Sequence, residues 1–386
     1  MPRTGRLTPG FLATAALLAW GVLPDDPARG TPSRLRDLLR NDLPSRADYD
    51  QMERGYYEQI LDSGRHLGSG NIADAANANV NVNSSTSGNP QHERLTLKVD
   101  GVREFVLKPN LVRDETKEIC WSTNSEGMRD REYPREKPLG TFRIGLTGDS
   151  IATGWKVDDD EGFEPLLEHA FDARSRSAGG PRVEILNFAV PGHGPGQRWT
   201  QFETLGWKFS PDLVIYEGTM ADTGWDERRL RGLLSRGVGF DAPVYRKVLA
   251  ESKIAQGLTP EGYRRVLKPL RWEILAGVYK HAAAECRSRG IPVVFLLIPR
   301  VGKAVEPAER KKLLSLAHEA GFTAVIDASD AYGDVDPTTL AVSPHDYHPN
   351  ARGHALISRA LNDALSARPE INAMWNTCGT QGVSPR

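Results

Sequence analysis

The sequence predicts an α/β fold: a five-stranded parallel sheet covered by helices on both faces, preceded by a helical and small β N-terminal extension. Three observations carry this prediction. Five short runs are almost continuously apolar rather than alternating, as strands buried on both faces are. Segments with apolar residues at helical spacing separate them. The alternation of strand and helix persists from residue 142 to residue 366, the rhythm of a sheet sandwiched between two helical layers.

In order, the elements are a strand over 142–148 (FRIGLTG), a helix near 161–176, a strand over 183–189 (VEILNFA) and a helix near 196–208. A strand over 212–218 (DLVIYEG), a long helix around 261–289, a strand over 292–299 (PVVFLLIP), a helix at 307–320, a strand over 323–328 (TAVIDA) and a helix at 351–366 complete the series. The acidic run Asp158, Asp159, Asp160 and Glu161 reads as the start of the first helix, where carboxylates suit free N–H groups. Residues 219–259, rich in Arg and Gly, break the rhythm directly after the third strand. Ligands bind beyond the carboxyl ends of parallel strands, so this insertion is placed to act as a lid over a substrate site; the competing reading is a solvated excursion that packs on the surface.

Ahead of the sheet, LTLKVDGVREFVLKPN (95–110) alternates apolar and polar residues about Asp100 and Gly101, a hairpin signal that opens a small β lead-in over 95–140. Residues 31–94 are a charged segment with one amphipathic helix in YDQMERGYYEQILDSG (49–64), then an Asn/Ser/Gly-rich linker over 68–90. Arg3 and Arg6 precede the apolar run 10–23, which is short for a full span. Residues 1–30 therefore read as an export signal or short membrane anchor, giving a periplasmic, extracellular or anchored protein whose membrane association runs through that segment alone. The strand–helix series is taken as a domain over 141–370, with a tail over 371–386.

With 49 basic and 50 acidic side chains, no chain-wide field draws the protein to nucleic acid, and no nucleic-acid partner is expected. Cys120, Cys286 and Cys378 are odd in number, far apart and without a CxxC pair, so neither a zinc ribbon nor a disulfide framework is indicated.

Two motifs carry chemistry. Gly148-Asp149-Ser150 closes the first strand, and a serine exposed at a strand end beside backbone N–H groups is placed to attack a carbonyl carbon. HDYHPNARGHALIS (345–358) puts Asp346 two residues before His348, ahead of a helix; a carboxylate there fixes the imidazole tautomer that leaves the other nitrogen free to take a serine proton. Each motif alone competes with a capped helix start. Together they indicate a nucleophile and its base.

With these two motifs and Asn187-Phe188-Ala189-Val190-Pro191-Gly192-His193-Gly194, the sequence resembles the SGNH/GDSL hydrolases over about residues 141–366. The resemblance implies a flavodoxin-like three-layer sandwich, acyl-ester hydrolysis, Ser150 as nucleophile, His348 as base, Asp346 as acid, and the N–H groups of Ser150 and Gly192 as oxyanion donors. The segment 124–134 is similar to the lead-in of some exported members. Two departures stand out. Where the family's third block carries an asparagine as an oxyanion donor, this chain has Ala221, and losing one such donor typically costs about 2.7–4 kcal/mol in the barrier. The acid also stands two residues before the base rather than the commoner three, the place of His345.

Thr219, Asp222, His193 and Trp155 are candidate pocket residues, Thr219 or an N–H of its loop being a replacement for the missing donor; Trp225 lies near the same loop. Asp149 is read as fixing its loop through backbone N–H groups. His345, His348 and His354 with Asp346 do not match a helical zinc pair, so no metal is expected, nor any cofactor. The function expected is serine-dependent hydrolysis of an acyl or acetyl ester of a small molecule or carbohydrate. An O-acyltransferase acting on a polysaccharide is the near alternative, and a non-catalytic scaffold, motivated by Ala221, the distant one.

Overall fold

The computed structural model describes residues 94–112, 122–303, 305–344, 346–368 and 371. The expected export signal or anchor, the 49–64 helix, the 68–90 linker, Cys120, Cys378, His345 and the tail from 372 lie outside the described residues. Among the described residues no helix is long and apolar enough to cross a membrane.

The lead-in forms a two-stranded antiparallel hairpin, β1 (Thr96–Lys98) and β2 (Phe105–Leu107), with Leu97 opposite Val106. Its connection is wider than a two-residue turn: Gly101 and Glu104 both have positive φ, and the Val99 N–H bonds the Glu104 carbonyl at 2.9 Å.

The main sheet contains β3 (Thr141–Thr147), β4 (Arg182–Asn187), β5 (Leu213–Gly218), β6 (Val293–Leu297) and β7 (Ala324–Asp327). All pairings are parallel and the order is β4-β3-β5-β6-β7, the flavodoxin-like order expected. Its connections are helical: α1 (Ser150–Thr153), α2 (Phe163–Ser177), α3 (Pro195–Leu205), α4 (Asp222–Ser235), α5 (Pro243–Glu251), α6 (Pro260–Leu267), α7 (Arg271–Ser288), α8 (Pro307–Ala320) and α9 (Ala351–Ser366).

Alternation along each strand assigns side chains to two cores. In β5, Leu213 and Ile215 face a core shared with α2 and α9, while Val214 and Tyr216 face the core of α3, α4, α7 and α8. β6 divides likewise, Val294 and Leu296 against Val293, Phe295 and Leu297. Both faces of each strand are therefore apolar, which is why the runs read as continuous in sequence.

Two boundaries differ from expectation. The long helix around 261–289 is two helices, α6 and α7, joined by a 3₁₀ turn over Lys268–Leu270; Pro269 within that turn has no N–H to continue an α-helical ladder. The acidic run does not cap α2, which begins after Gly162; Asp159 instead accepts from the Ser122 N–H and hydroxyl, and Glu161 from the Asp158 N–H at 3.0 Å. The group that meets the first N–H of α2, that of Phe163, is His354 Nδ1 of α9 at 3.1 Å.

Residues 219–259 form α4 and α5, whose Leu230, Leu233, Leu234 and Tyr245 are buried in the core shared with α7. A Leu233→Ala change is expected to cost about 2–5 kcal/mol of stability through the cavity it leaves. KM on a small ester should meanwhile stay within about twofold. Thermal unfolding and steady-state kinetics on one preparation check this; an altered KM at unchanged Tm would make the segment a lid. Cys286 is also in this core, free, and burial pushes its thiol up to about 12.

Candidate active site

The sheet order reverses between β3 and β5, and in such sheets the crevice for ligands opens at the carboxyl ends of those strands. Ser150 stands there as the first residue of α1, separated from β3 by Gly148 and Asp149. Asp149 caps this short helix by accepting the Ile151 N–H on Oδ1 at 3.0 Å, and Gly154, with φ of +75°, ends it. Asn187 at the end of β4 braces the turn, its side-chain amide donating to the Ala152 carbonyl at 2.9 Å.

His348 is brought to Ser150 from a distant part of the chain, on the loop before α9. Val342 N–H donates to the His348 carbonyl at 3.1 Å, Val301 N–H to the Tyr347 carbonyl at 2.9 Å, and Asn350 caps α9 through the Gly353 N–H at 3.1 Å. The imidazole is fully buried, with Nε2 2.8 Å from Ser150 Oγ and Nδ1 2.6 Å from Asp346 Oδ1. The Tyr347 ring lies 4.3 Å from the imidazole, and the Trp155 ring 6.3 Å from it.

The two-residue spacing of acid and base works because Asp346 makes an Asx turn. Its Oδ1 accepts the His348 backbone N–H at 2.9 Å and the imidazole Nδ1–H together, so one oxygen fixes the loop and the ring. Lys156 Nζ, on a residue with φ of +62°, lies 3.7 Å from Asp346 Oδ2. Burial opposes ionisation of Asp346, but the bond and charge of His348 outweigh it and hold the carboxyl below its ordinary value. Burial also disfavours the imidazolium and, despite Asp346, holds His348 below its usual 6.5. A neutral imidazole poised on a serine hydroxyl can accept its proton.

Gly192 has φ of +83°, a conformation that suits glycine. Its carbonyl accepts from Arg229, while the N–H groups of Ser150 and Gly192 meet no acceptor among the described residues. Both therefore remain able to donate to a ligand.

The other predicted pocket residues are buried among the protein's own side chains. His193 is fully buried, its Nε2–H donating to the Phe105 carbonyl at 2.9 Å and tying the hairpin to the second block; burial keeps its imidazole neutral, down at about 3. Thr219 gives its N–H to Asp222 Oδ2 at 3.2 Å and its hydroxyl to Asp222 Oδ1 at 3.0 Å, so Thr219 has no donor to spare in place of the missing asparagine. The unspent N–H groups of that loop among the described residues are those of Met220 and Ala221. Trp155 packs against Leu95, Phe105, Leu107 and Val190, and Trp225 lies under the Arg229 guanidinium, 4.9 Å away.

Sequence reasoning missed a buried charge cluster beneath Ser150. Arg198 of α3, fully buried, donates through Nη2 to Asp149 Oδ2 at 2.7 Å and through Nη1 to the two Asp222 oxygens at 3.0 and 3.1 Å. Asp149 thus does fix its loop, and it does so with a cation as well as a backbone N–H. Its ionisation, opposed by burial, is restored by Arg198, so its pKa lies below the ordinary value. Glu217 at the end of β5 completes the cluster, its Oε2 accepting the Asp149 N–H at 2.6 Å. One signal was available: charged residues in otherwise apolar segments, Glu217 in LVIYEG and Arg198 in a helix of buried aromatics.

Arg129 in the lead-in was also missed. It is buried and donates to the carbonyls of Thr153, Gly154, Val157 and Asp158, clamping the segment that presents Trp155 and Lys156. Of the proposed metal group, His348 has both ring nitrogens engaged and His354 Nδ1 holds α2. Elsewhere, Glu203, His281 and Glu285 on α3 and α7 place ligand atoms within 4.8 Å of one another, though Glu285 already pairs with Arg289.

Residues 146–356 match the GDSL-like Lipase/Acylhydrolase family. Among solved structures, the chain is similar to the psychrotrophic esterase EstA from Pseudoalteromonas sp., at 16% identity over 58% of this chain and 97% of that one, TM-score 0.36. It is also similar to an acetylxylan esterase from Geobacillus stearothermophilus, at 13% identity over 57% of this chain and 92% of that one, TM-score 0.36. No curated protein matches it. With more than half its length in the match and a serine, a histidine and a carboxylate in one hydrogen-bonded line, the chain belongs to the GDSL-like lipase/acylhydrolase family of esterase-type hydrolases.

Proposed function

We propose that the protein hydrolyses carboxylic esters through an acyl-enzyme formed on Ser150. The reading is supported above all by the 2.8 Å separation of Ser150 Oγ and His348 Nε2, within reach for direct proton transfer. Ser150 Oγ bonds to the ester carbonyl carbon as its proton passes to Nε2. The oxyanion is held by the N–H groups of Ser150 and Gly192, and Asp346 stabilises the imidazolium through Nδ1. As the tetrahedral species collapses, the bond to the alcohol oxygen breaks and the alcohol leaves with the proton held on Nε2. Water, deprotonated by the same nitrogen, then attacks the acyl carbon and returns Ser150. The substrates proposed are acyl or acetyl esters of small molecules or carbohydrates. Export through the segment at 10–23 belongs to the same proposal, and fractionation of cells making the full chain tests it.

The pH profile tests the chemistry. The reactive form has His348 neutral, so activity is retained above its pKa and lost as pH falls through it. Because that pKa is held below 6.5, kcat/KM for a p-nitrophenyl ester should stay level from neutral pH down past 6.5. It should then fall tenfold per pH unit. An acid limb centred above 6.5, or none, would remove His348 from the role of base.

A further inference from the structure

We propose that Glu217 is a positioning residue for Ser150, and that it holds this place as a neutral carboxyl. The inference rests on the reading of Ser150 as nucleophile, but its main test does not depend on activity.

Glu217 is fully buried at the penultimate position of β5 and reaches across to the end of the neighbouring β3. There its Oε2 takes the N–H of Asp149, the residue directly before the nucleophile, at 2.6 Å. The motif's glycine makes room for this contact: a Cβ on Gly148 would lie 2.0 Å from Oε2 and 2.4 Å from the Ala152 Cβ. The turn that presents Ser150 is therefore pinned from two sides, by Glu217 on the Asp149 N–H and by Arg198 on the Asp149 carboxylate.

The charge count decides the protonation state. Three buried carboxyls, Asp149, Asp222 and Glu217, cluster about Arg198, with the charge of Arg300 favouring ionisation of Asp149 alone among them, and a further uncompensated negative charge in this interior would be costly. Asp149 takes donors on both oxygens, Ile151 N–H on Oδ1 and Arg198 on Oδ2. Asp222 is surrounded by donors only: Arg198, the Thr219 N–H and hydroxyl, and the Tyr279 hydroxyl at 3.4 Å. Burial pushes the Asp222 carboxyl up as well, but Arg198 and the two Thr219 donors oppose the rise. Glu217 differs: Arg198 reaches its backbone carbonyl at 3.2 Å but not its carboxyl, and Oε1 has no partner. The proton that the cluster must keep sits on Oε1. Burial, then the negative charge of Asp149, push Glu217 well above the ordinary carboxyl range, in the same direction.

Keeping a carboxyl protonated above its unfolded pKa of 4.5 is a burden on folding that grows with pH. A glutamine keeps the neutral acceptor without that burden. In E217Q of the full chain, Tm is therefore expected to rise relative to wild type, with a gain that widens from pH 5 to pH 8, while kcat stays within about threefold. E217L keeps the neutrality but strips the Asp149 N–H of its acceptor, so kcat should fall by about 10- to 100-fold with KM much less changed. A Tm difference between E217Q and wild type that is flat or negative across this pH range overturns the neutral carboxyl. A kcat loss in E217Q as large as in E217L overturns the positioning role. If Ser150 is not the nucleophile, S150A keeps its activity, whereas the Tm comparison is unaffected.

Discussion

Replacing Ser150 by alanine is expected to lower kcat by about 10⁴–10⁶-fold and to abolish labelling by a fluorophosphonate, with the fold intact. The size follows from how catalytic units fail. Removing the nucleophile ends the covalent route, and what survives is the background rate aided by the N–H groups of Ser150 and Gly192 and by binding alone. The change takes away one oxygen whose side-chain contact is His348 Nε2, in a turn held by Asp149, Asn187 and Glu217 rather than by the hydroxyl. Stability should therefore hardly move. Intact-protein mass after phosphonate treatment, with a melting curve for each protein, checks both halves. Labelling of the alanine variant, or none of the wild type, would sink the acyl-enzyme and favour a scaffold.

Asp346→Asn is expected to cost about 10⁴-fold in kcat while leaving the loop in place. The amide oxygen can still accept the His348 backbone N–H, so the turn before α9 persists. The negative charge that supports the imidazolium does not. Turned over, the amide would instead present its N–H where Oδ1 stood, giving up the backbone bond and selecting the tautomer whose Nε2 already carries a hydrogen, which cannot take one from Ser150. Lys156, 3.7 Å from the carboxylate, then faces the imidazole without its counter-charge and disfavours the imidazolium further. Steady-state kcat at saturating ester, compared with wild type at one pH, measures the loss. A loss below tenfold would make Asp346 a loop cap rather than the third member of a triad.

Much of this architecture is legible in the sequence because burial on both faces leaves little freedom in composition. The strands are found within a residue or two, and α8 and α9 at their observed limits, since long apolar periodicities survive any register error. The 3₁₀ interruption at Pro269 is not, because α6 and α7 carry apolar residues at one helical period that reads straight through it. Ser150 and His348 are visible as motifs, being side chains whose chemistry fixes their type. The spacing of Asp346 looked unfavourable until the Asx turn showed a single oxygen serving both backbone and ring. Arg198 and Glu217 escaped for a different reason: their partners lie 49 and 68 positions away, and long-range pairing has no local periodicity to reveal it. Thr219 and Asp222 are only three positions apart and bond each other, and it is the distant Arg198 on Asp222 that no local pattern reveals.

Glu104, Phe105 and Arg129 all precede the family match, which begins at residue 146. Yet the Phe105 carbonyl receives His193, the Glu104 carboxylate receives the amide of Gln197, and Arg129 gathers four carbonyls just past the nucleophile. A fragment trimmed to the shared segment would carry every reacting group and lack the tethers that set their positions. Along this chain, the boundary of the inherited chemistry and the boundary of the unit able to perform it fall in different places.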